Sequence, residues 1–174
     1  MRKALTPFLK GQRVIVVGGG RAGLVAGRDL GARGADVQLL EARARLGGRV
    51  CSIDDADFSD APIELGGEFI DGEHAAIRSL CRDLKLTLVP VLKDGFGLSW
   101  ELDPYALGGY TFFPPDFRPE WRSELSRSFG RIAFAGDHTS RYWHGYMNGA
   151  VESGHRAARD IEMMKLMELP SAPA

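Results

Sequence analysis

The residues best suited to do chemistry are glycines. Gly18-Gly19-Gly20-Arg21-Ala22-Gly23 fits the spacing G-x-G-x-x-G, and Gly27 extends it at the next turn. In that pattern Gly18 lets the chain turn tightly out of a strand. Gly20 leaves the backbone bare for a pyrophosphate to approach, and Gly23 lets the following helix pack closely on the sheet. The helix start around Ala22 offers free N–H groups and a partial positive charge, which suit an anion. Glu41 stands about 20 positions further on, where an acid accepts hydrogen bonds from ribose hydroxyls. Together these residues predict a dinucleotide site. Glu41 in place of an arginine disfavours a 2′-phosphate, and with it NADP.

That chemistry needs a strand, a turn, a helix and a second strand. Arg13 to Val17 is a short β-branched run and reads as a buried strand. Ala22 to Arg33 carries helical spacing with Leu24, Ala26 and Leu30, and Gly34 ends it. Val37 to Leu40 reads as a second buried strand, completing a βαβ unit. Glu41 to Val50 is a loop. Glu73 to Leu84 is an amphipathic helix with Ala76, Ile77, Leu80, Cys81 and Leu84 on one face. Leu86 to Val91 reads as a strand, Trp100 to Phe117 as an irregular packed segment, and Ile132 to Ala135 as a third apolar strand. Asn148 to Met164 is a long helix with Val151, Ala158 and Ile161 inward. The expected fold class is α/β. It is a Rossmann-like domain whose C-terminal strand and helix return to the sheet of the N-terminal βαβ unit. Residues 1–12 read as a leader, 13–165 as a single domain and 166–174 as a tail.

The βαβ unit does not separate NAD from FAD. The next segment does, because Glu41-Ala42-Arg43-Ala44-Arg45-Leu46-Gly47-Gly48-Arg49 runs from the ribose acid straight into a second glycine pair set among arginines. A guanidinium grips a phosphate bidentately. Here the sequence resembles the flavin-dependent amine oxidases, the family of monoamine, polyamine and L-amino acid oxidases. The resemblance covers residues 11–90 and 98–162. It implies FAD as cofactor, with Glu41 on the adenosine ribose, Ala42 beside it, Gly47 and Gly48 along the pyrophosphate, and Arg43 and Arg49 near the phosphate and ribose. Glu64-Leu65-Gly66-Gly67-Glu68-Phe69-Ile70 is similar to the family's next landmark, which brings Leu65, Gly66, Gly67 and Glu68 close to the flavin. Ile132-Ala133-Phe134-Ala135-Gly136-Asp137 resembles the family's strand ending in Ala-Gly-acid, which implies that Gly136 and Asp137 hold a ribityl hydroxyl. Trp143 to Val151 resembles the start of the family's last helix. There Gly145, Tyr146 and Met147 face the flavin, and the helix dipole favours its anionic reduced form.

By the same resemblance Tyr110 and Tyr146 are the two aromatics that frame an amine. Gly109 stands where some members carry a flavin-linked cysteine, so the expected FAD is non-covalent. The implied activity is oxidation of an amine or amino acid to an imine, with hydride passing to flavin N5 and oxygen reduced to hydrogen peroxide. Family members are far longer, and the region between the two matching blocks shrinks here to about residues 89–98. The alternative is therefore a flavin-binding module, or a shortened flavin domain, with little or no turnover. The aromatic stretch from Trp100 to Trp121 is then a candidate for uncovered surface and self-association, so a homo-oligomer is expected.

Composition narrows the remaining classes. Of 174 residues, 22 are glycine, and 22 basic side chains nearly balance 23 acidic ones. No basic excess points to nucleic acid. The apolar runs are too short to span a bilayer, so no membrane partner is expected. Cys51 and Cys81 make neither a disulfide framework nor a metal motif, and a reduced cytoplasmic setting is the default. His138, His144 and His155 lie close in sequence, but no carboxylate or cysteine joins them at a metal-ligand spacing, so no metal is expected.

Overall fold

A computed structural model describes residues 8–54, 62–67, 69–88, 104–106, 109, 111, 113–115 and 117–168. The class is α/β. Strand β1 (Arg13–Val17) leads through the glycine turn into helix α1 (Arg21–Ala32), and strand β2 (Asp36–Leu40) lies parallel to β1, with Arg13 opposite Asp36 and Val17 opposite Leu40. The chain leaves α1 through Gly34 at φ +91°, a left-handed turn that glycine adopts without steric cost. A short antiparallel hairpin follows, β3 (Ser52–Ile53) with β4 (Ile63–Glu64). Helix α2 spans Ala75–Asp83, and α3 spans Met147–Met167. Among the described residues two 3₁₀ turns, Pro119–Ser126 and Asp137–Thr139, precede α3.

The core has two parts, one on each side of the α1–α3 contact. Leu9, Leu30 and Ala158 pack with Val14, Val16, Val37 and Ile161 and hold the helices on the sheet. Leu9 is fully buried although it falls in the stretch read as a leader. Val25, Ile77, Cys81 and Val151 form the second part and bring α2 in. Between them α1 and α3 approach closely, because Gly154 has no Cβ. One built there would lie 2.4 Å from the Ala22 carbonyl oxygen.

Two expectations need correction. The strands of the βαβ unit are not buried on both faces. Val14 and Val16 face the helices, while Ile15 and Val17 on the other face are 60% and 83% exposed. Parallel sheets are ordinarily covered on both sides, and here the described residues cover one. Residues 132–135 are also not a third strand. Apart from an isolated bridge between Phe129 and Ile132 they make no ladder, and among the described residues the sheet has two strands, β1 and β2. The segment runs beside β1 across a cavity and does not bond to it. Leu86 to Leu88 carry no regular structure, and the rest of that expected strand, 89–91, lies outside the described residues.

Candidate functional site

The site begins where β1 ends. Gly18 turns at φ +99° and donates its N–H to the Leu40 carbonyl at 2.7 Å, which ties the turn to the end of β2. Glu41 follows at once and reaches back. Its Oε2 accepts the Gly19 N–H at 2.6 Å, and its Oε1 accepts the Arg43 N–H at 2.9 Å. These amides, Arg43 first and Gly19 second, hold the Glu41 carboxyl below the usual carboxylate range. Two bonds leave lone pairs free, since a carboxylate offers about four acceptor positions. Glu41 can therefore shape the turn and still accept hydroxyls.

Gly20 is the N-cap of α1 and supplies no side-chain cap, so the helix amides face outward. A Cβ built on Gly20 would meet nothing within 4 Å, whereas one on Gly23 would lie 2.0 Å from the Gly18 carbonyl oxygen. The two glycines thus differ in role. Gly20 keeps space open above the turn, and Gly23 permits the turn and helix to touch. At the first residue of α1 the buried Arg21 Nη1 has no hydrogen-bond partner among the described residues. Burial lowers the pKa of this guanidinium, with Cys81 and Glu64 raising it.

The second glycine pair closes over the first. Gly47 donates its N–H to the Gly19 carbonyl at 2.9 Å, Gly47 bridges Gly20, and a Cβ on Gly48 would lie 3.2 Å from Gly20 Cα. Arg43 turns its guanidinium over the Tyr105 ring at 5.0 Å, with Nη1 4.0 Å from Glu41. Arg45 braces the loop through the Leu46 and Val50 carbonyls.

Arg49 carries the site across the molecule. Its guanidinium donates to the Gly109 carbonyl and to Asp137 Oδ1. Asp137 is 6% exposed, and its Oδ2 also accepts from the Gly145 N–H at 3.2 Å and the Thr111 hydroxyl at 3.4 Å. Its neighbour Gly136 donates to Ser153 Oγ on α3. Gly145 sits at φ +82° just before α3, whose N-cap Tyr146 again provides no side-chain cap. Met147 meets the other landmark, since a Cβ on Gly67 would lie 2.7 Å from its Sδ. Leu65 and Gly66 lead there from β4, with the Leu65 N–H donating to the Cys51 carbonyl. Tyr146 is half-exposed and stands against His74, with Trp143 at its side.

Most of the residues expected at the site therefore form one connected path. It runs from Glu41 and Ala42 through Gly18–Gly20 and Gly47–Gly48 to Arg49, Asp137, Gly145 and the start of α3. Tyr110 and Glu68 lie outside the described residues. Arg43 lies at the Glu41 end of the path. Sequence reasoning missed Gly19, Thr111 and Asn148. The Asn148 side chain is 2% exposed, and its Oδ1 accepts the Ile77 N–H at 3.0 Å, joining α2 to the start of α3. A buried amide among the small residues opening α3 was the available signal.

Residues 21–98 and 97–162 match the family described as flavin containing amine oxidoreductase. The chain belongs to the flavin-containing amine oxidoreductases. Flavin-containing amine oxidase B of Sus scrofa is 47% identical over 64 residues, 36% of this chain and 12% of that protein. Flavin-containing amine oxidase A of Canis lupus familiaris is 44% identical over the same length, again 12% of its own chain. A solved structure of wild-type putrescine oxidase bound to putrescine has a TM-score of 0.39 and 34% identity, over 45% of this chain and 17% of that one. The matched stretch is thus a small part of each full-length relative.

The amine oxidoreductase site suits a flavin dinucleotide on this chain's own features. The space over Gly20 and the uncapped amides at the start of α1 suit an anion. Glu41 beside it can accept hydroxyls. Among the described residues no group of acids, histidines and cysteines could hold a metal ion, and no helix is long and apolar enough to cross a membrane.

Proposed function

We propose that this chain is an FAD-binding, Rossmann-like flavoprotein domain of amine oxidase type. The observation that carries it is the continuity of the path from Glu41 over the paired glycine turns to the uncapped start of α3. Gly20, Gly47 and Gly48 give the pyrophosphate access to backbone amides, and Glu41 accepts ribose hydroxyls. Arg49 and Asp137 form the polar wall of the middle section. The amides and dipole at the start of α3 favour negative charge on the far end of the cofactor. Bound there, FAD supplies the hydride acceptor for the carbon bearing the amine and returns the electrons to oxygen as peroxide. Tyr146 and Tyr110 orient the amine.

The flavin is held without a covalent link. Gly109 has no side chain to attach, and of the two cysteines Cys81 is in the core beside Ile77 and Val151. Turnover is the reading that the limited coverage of the relatives weighs against. Positioning supplies about 7–11 kcal/mol of barrier lowering when reactants are well oriented, and the matched stretch is a small fraction of the relatives' length. A flavin-holding module with little oxidase activity is the second reading.

The visible spectrum of the purified chain tests the first step. Oxidised-flavin absorption, released to the supernatant by acid precipitation, is expected. A colourless protein that takes up no added FAD refutes both readings. With flavin bound, peroxide release on a panel of amines separates oxidase from module.

A further inference from the structure

The N-cap of α2 is His74, a histidine only 2% exposed. Asn, Asp and Ser are the favoured caps, because a short polar side chain reaches the first free amides of a helix. The His74 side chain makes no such bond. Its ring is tied to Asp71 instead. Nδ1 accepts the Asp71 N–H at 3.0 Å, and Nε2 lies 3.6 Å from the exposed Asp71 carboxylate. With Nδ1 accepting, the proton of the neutral ring sits on Nε2. The Asp71 amide thus fixes how the ring is turned.

So held, the ring meets the start of α3. It lies 5.0 Å from the Trp143 ring, edge-on at 89°, and 5.2 Å from the Tyr146 ring at 58°. Trp143 and Tyr146 are 6.2 Å apart at 88°. Each of the three rings therefore packs on the other two. Docking of α2 on α3 does not depend on this contact. The Ile77 amide bonds Asn148, and Ile77 and Cys81 pack with Val151. A buried ring that gives up capping its own helix, and is not needed to dock it, is left with Tyr146 as its task. Tyr146 is 48% exposed. A tyrosine so exposed ordinarily hops among staggered rotamers, and each aromatic neighbour biases that choice roughly two- to tenfold.

We propose that His74 is a positioning residue that, with Trp143, holds the Tyr146 ring in one orientation toward the amine. The inference rests on the amine oxidase reading above. An aromatic ring is negative on its face and positive at its edge, and its face attracts an ammonium group within about 6 Å. A ring held still presents the same surface to every incoming amine, and a hopping ring does not.

The test uses the full chain. His74→Asn places an amide oxygen near the Nδ1 position, where it can keep the Asp71 bond or cap α2, and removes the part of the ring that meets Tyr146. His74→Phe keeps a ring. Three-bond couplings across χ1 of Tyr146, measured without flavin, read the rotamer directly. Wild type should hold one rotamer at roughly nine-tenths or more, and His74→Asn should raise the minor rotamers roughly threefold or more. His74→Phe should restore the single rotamer. A merely structural histidine would lower the thermal midpoint in both variants and leave Tyr146 alike in both. Should the asparagine variant not fold, His74→Leu fills the space without an aromatic ring and should release Tyr146 in the same way. An averaging Tyr146 in wild type overturns the proposal without any variant, and so does a single rotamer in the asparagine or leucine variant.

Flavin-loaded chain adds the second readout. Benzylamine titrated anaerobically against the flavin spectrum should bind His74→Asn roughly threefold or more weakly, bind His74→Phe nearly as wild type, and find equal flavin content in all three. Equal benzylamine affinity with Tyr146 released overturns the positioning role. A chain that retains no flavin refutes the amine oxidase reading and removes the amine from the proposal, while the couplings still decide whether His74 holds the ring.

Discussion

The molecule contains two helix starts of the same design, held in place differently. At α1 and at α3 the N-cap residue gives no side-chain cap, and a glycine with positive φ precedes it, Gly18 at +99° and Gly145 at +82°. Each helix also carries a glycine pressed on a carbonyl. A Cβ on Gly23 would lie 2.0 Å from the Gly18 oxygen, and one on Gly149 2.0 Å from the Trp143 oxygen. The α1 start is anchored mainly by its neighbours in sequence and by Glu41 at the end of the adjacent strand. The α3 start is anchored by residues far away, Arg49 through Asp137 and Ile77 through Asn148. One helix start is therefore encoded nearly within a motif, and the other is assembled by the fold.

The strongest way to break the comparison is to place a methyl group at each contact. Gly23→Ala and Gly149→Ala both force a backbone shift, and each should cost about 3 kcal/mol or more. Their consequences should differ. Gly23→Ala should abolish flavin retention, because the phosphate turn itself moves. Gly149→Ala should lower the thermal midpoint while the α1 turn still retains flavin. Melting curves paired with flavin absorbance check this, and equal loss of flavin in both variants would show the two starts to be one cooperative unit.

Asn148→Ala sharpens the same distinction. It leaves the buried Ile77 amide unpaired, which costs about 1–3 kcal/mol. Exchange of α2 amides should rise while the Gly19 amide keeps its protection. If both rise together, α2 and the phosphate turn unfold as one unit.

This difference also explains what the sequence revealed. The positions of β1 and α1 were legible because strand, turn, helix and acid lie within a few tens of residues, but the bond from the Gly19 amide to Glu41 was not. The Gly47–Gly48 loop was legible as a motif, but its contact with Gly19 and Gly20 required the fold. Ile132 to Ala135 misled for the opposite reason. Four residues of strand-forming character predict a strand, yet a strand also needs a ladder partner, and the neighbouring edge of β1 lies across a cavity. The exposure of Ile15 and Val17 was equally hidden, since a β-branched run does not state which of its faces is covered. Asn148 stood out only as a polar residue among the small ones opening α3, and its role depends on Ile77, far away in the chain.

Glu41→Ala tests the locally built start more gently. It removes the acceptor for Gly19 and Arg43 but leaves the glycines in place. Flavin retention should fall roughly tenfold, a smaller loss than for Gly23→Ala. Glu41→Gln keeps one acceptor and should lose less flavin than Glu41→Ala. Unchanged flavin content in the alanine variant would move the ribose contact away from residue 41.

The smallest effect is a pH dependence confined to the same turn. Hydrogen bonds from the Arg43 and Gly19 amides lower the pKa of Glu41 in the folded chain. A carboxyl depressed on folding contributes stability that is present above its unfolded value, about 4.3 for Glu, and lost as pH falls through the lower folded value. Protection of the Gly19 amide, corrected for the intrinsic pH dependence of exchange, should therefore stay level from neutral pH down through about 4.3. It should decline only at more acid pH, and in Glu41→Gln that decline should vanish. The α3 start uses Asp137, which is paired with Arg49, so the Gly145 amide should not follow the Glu41 titration. A common midpoint for Gly19 and Gly145 would mean that the two starts share one electrostatic unit, and a Gly19 midpoint above 4.3 would remove Glu41 as the group that holds the turn.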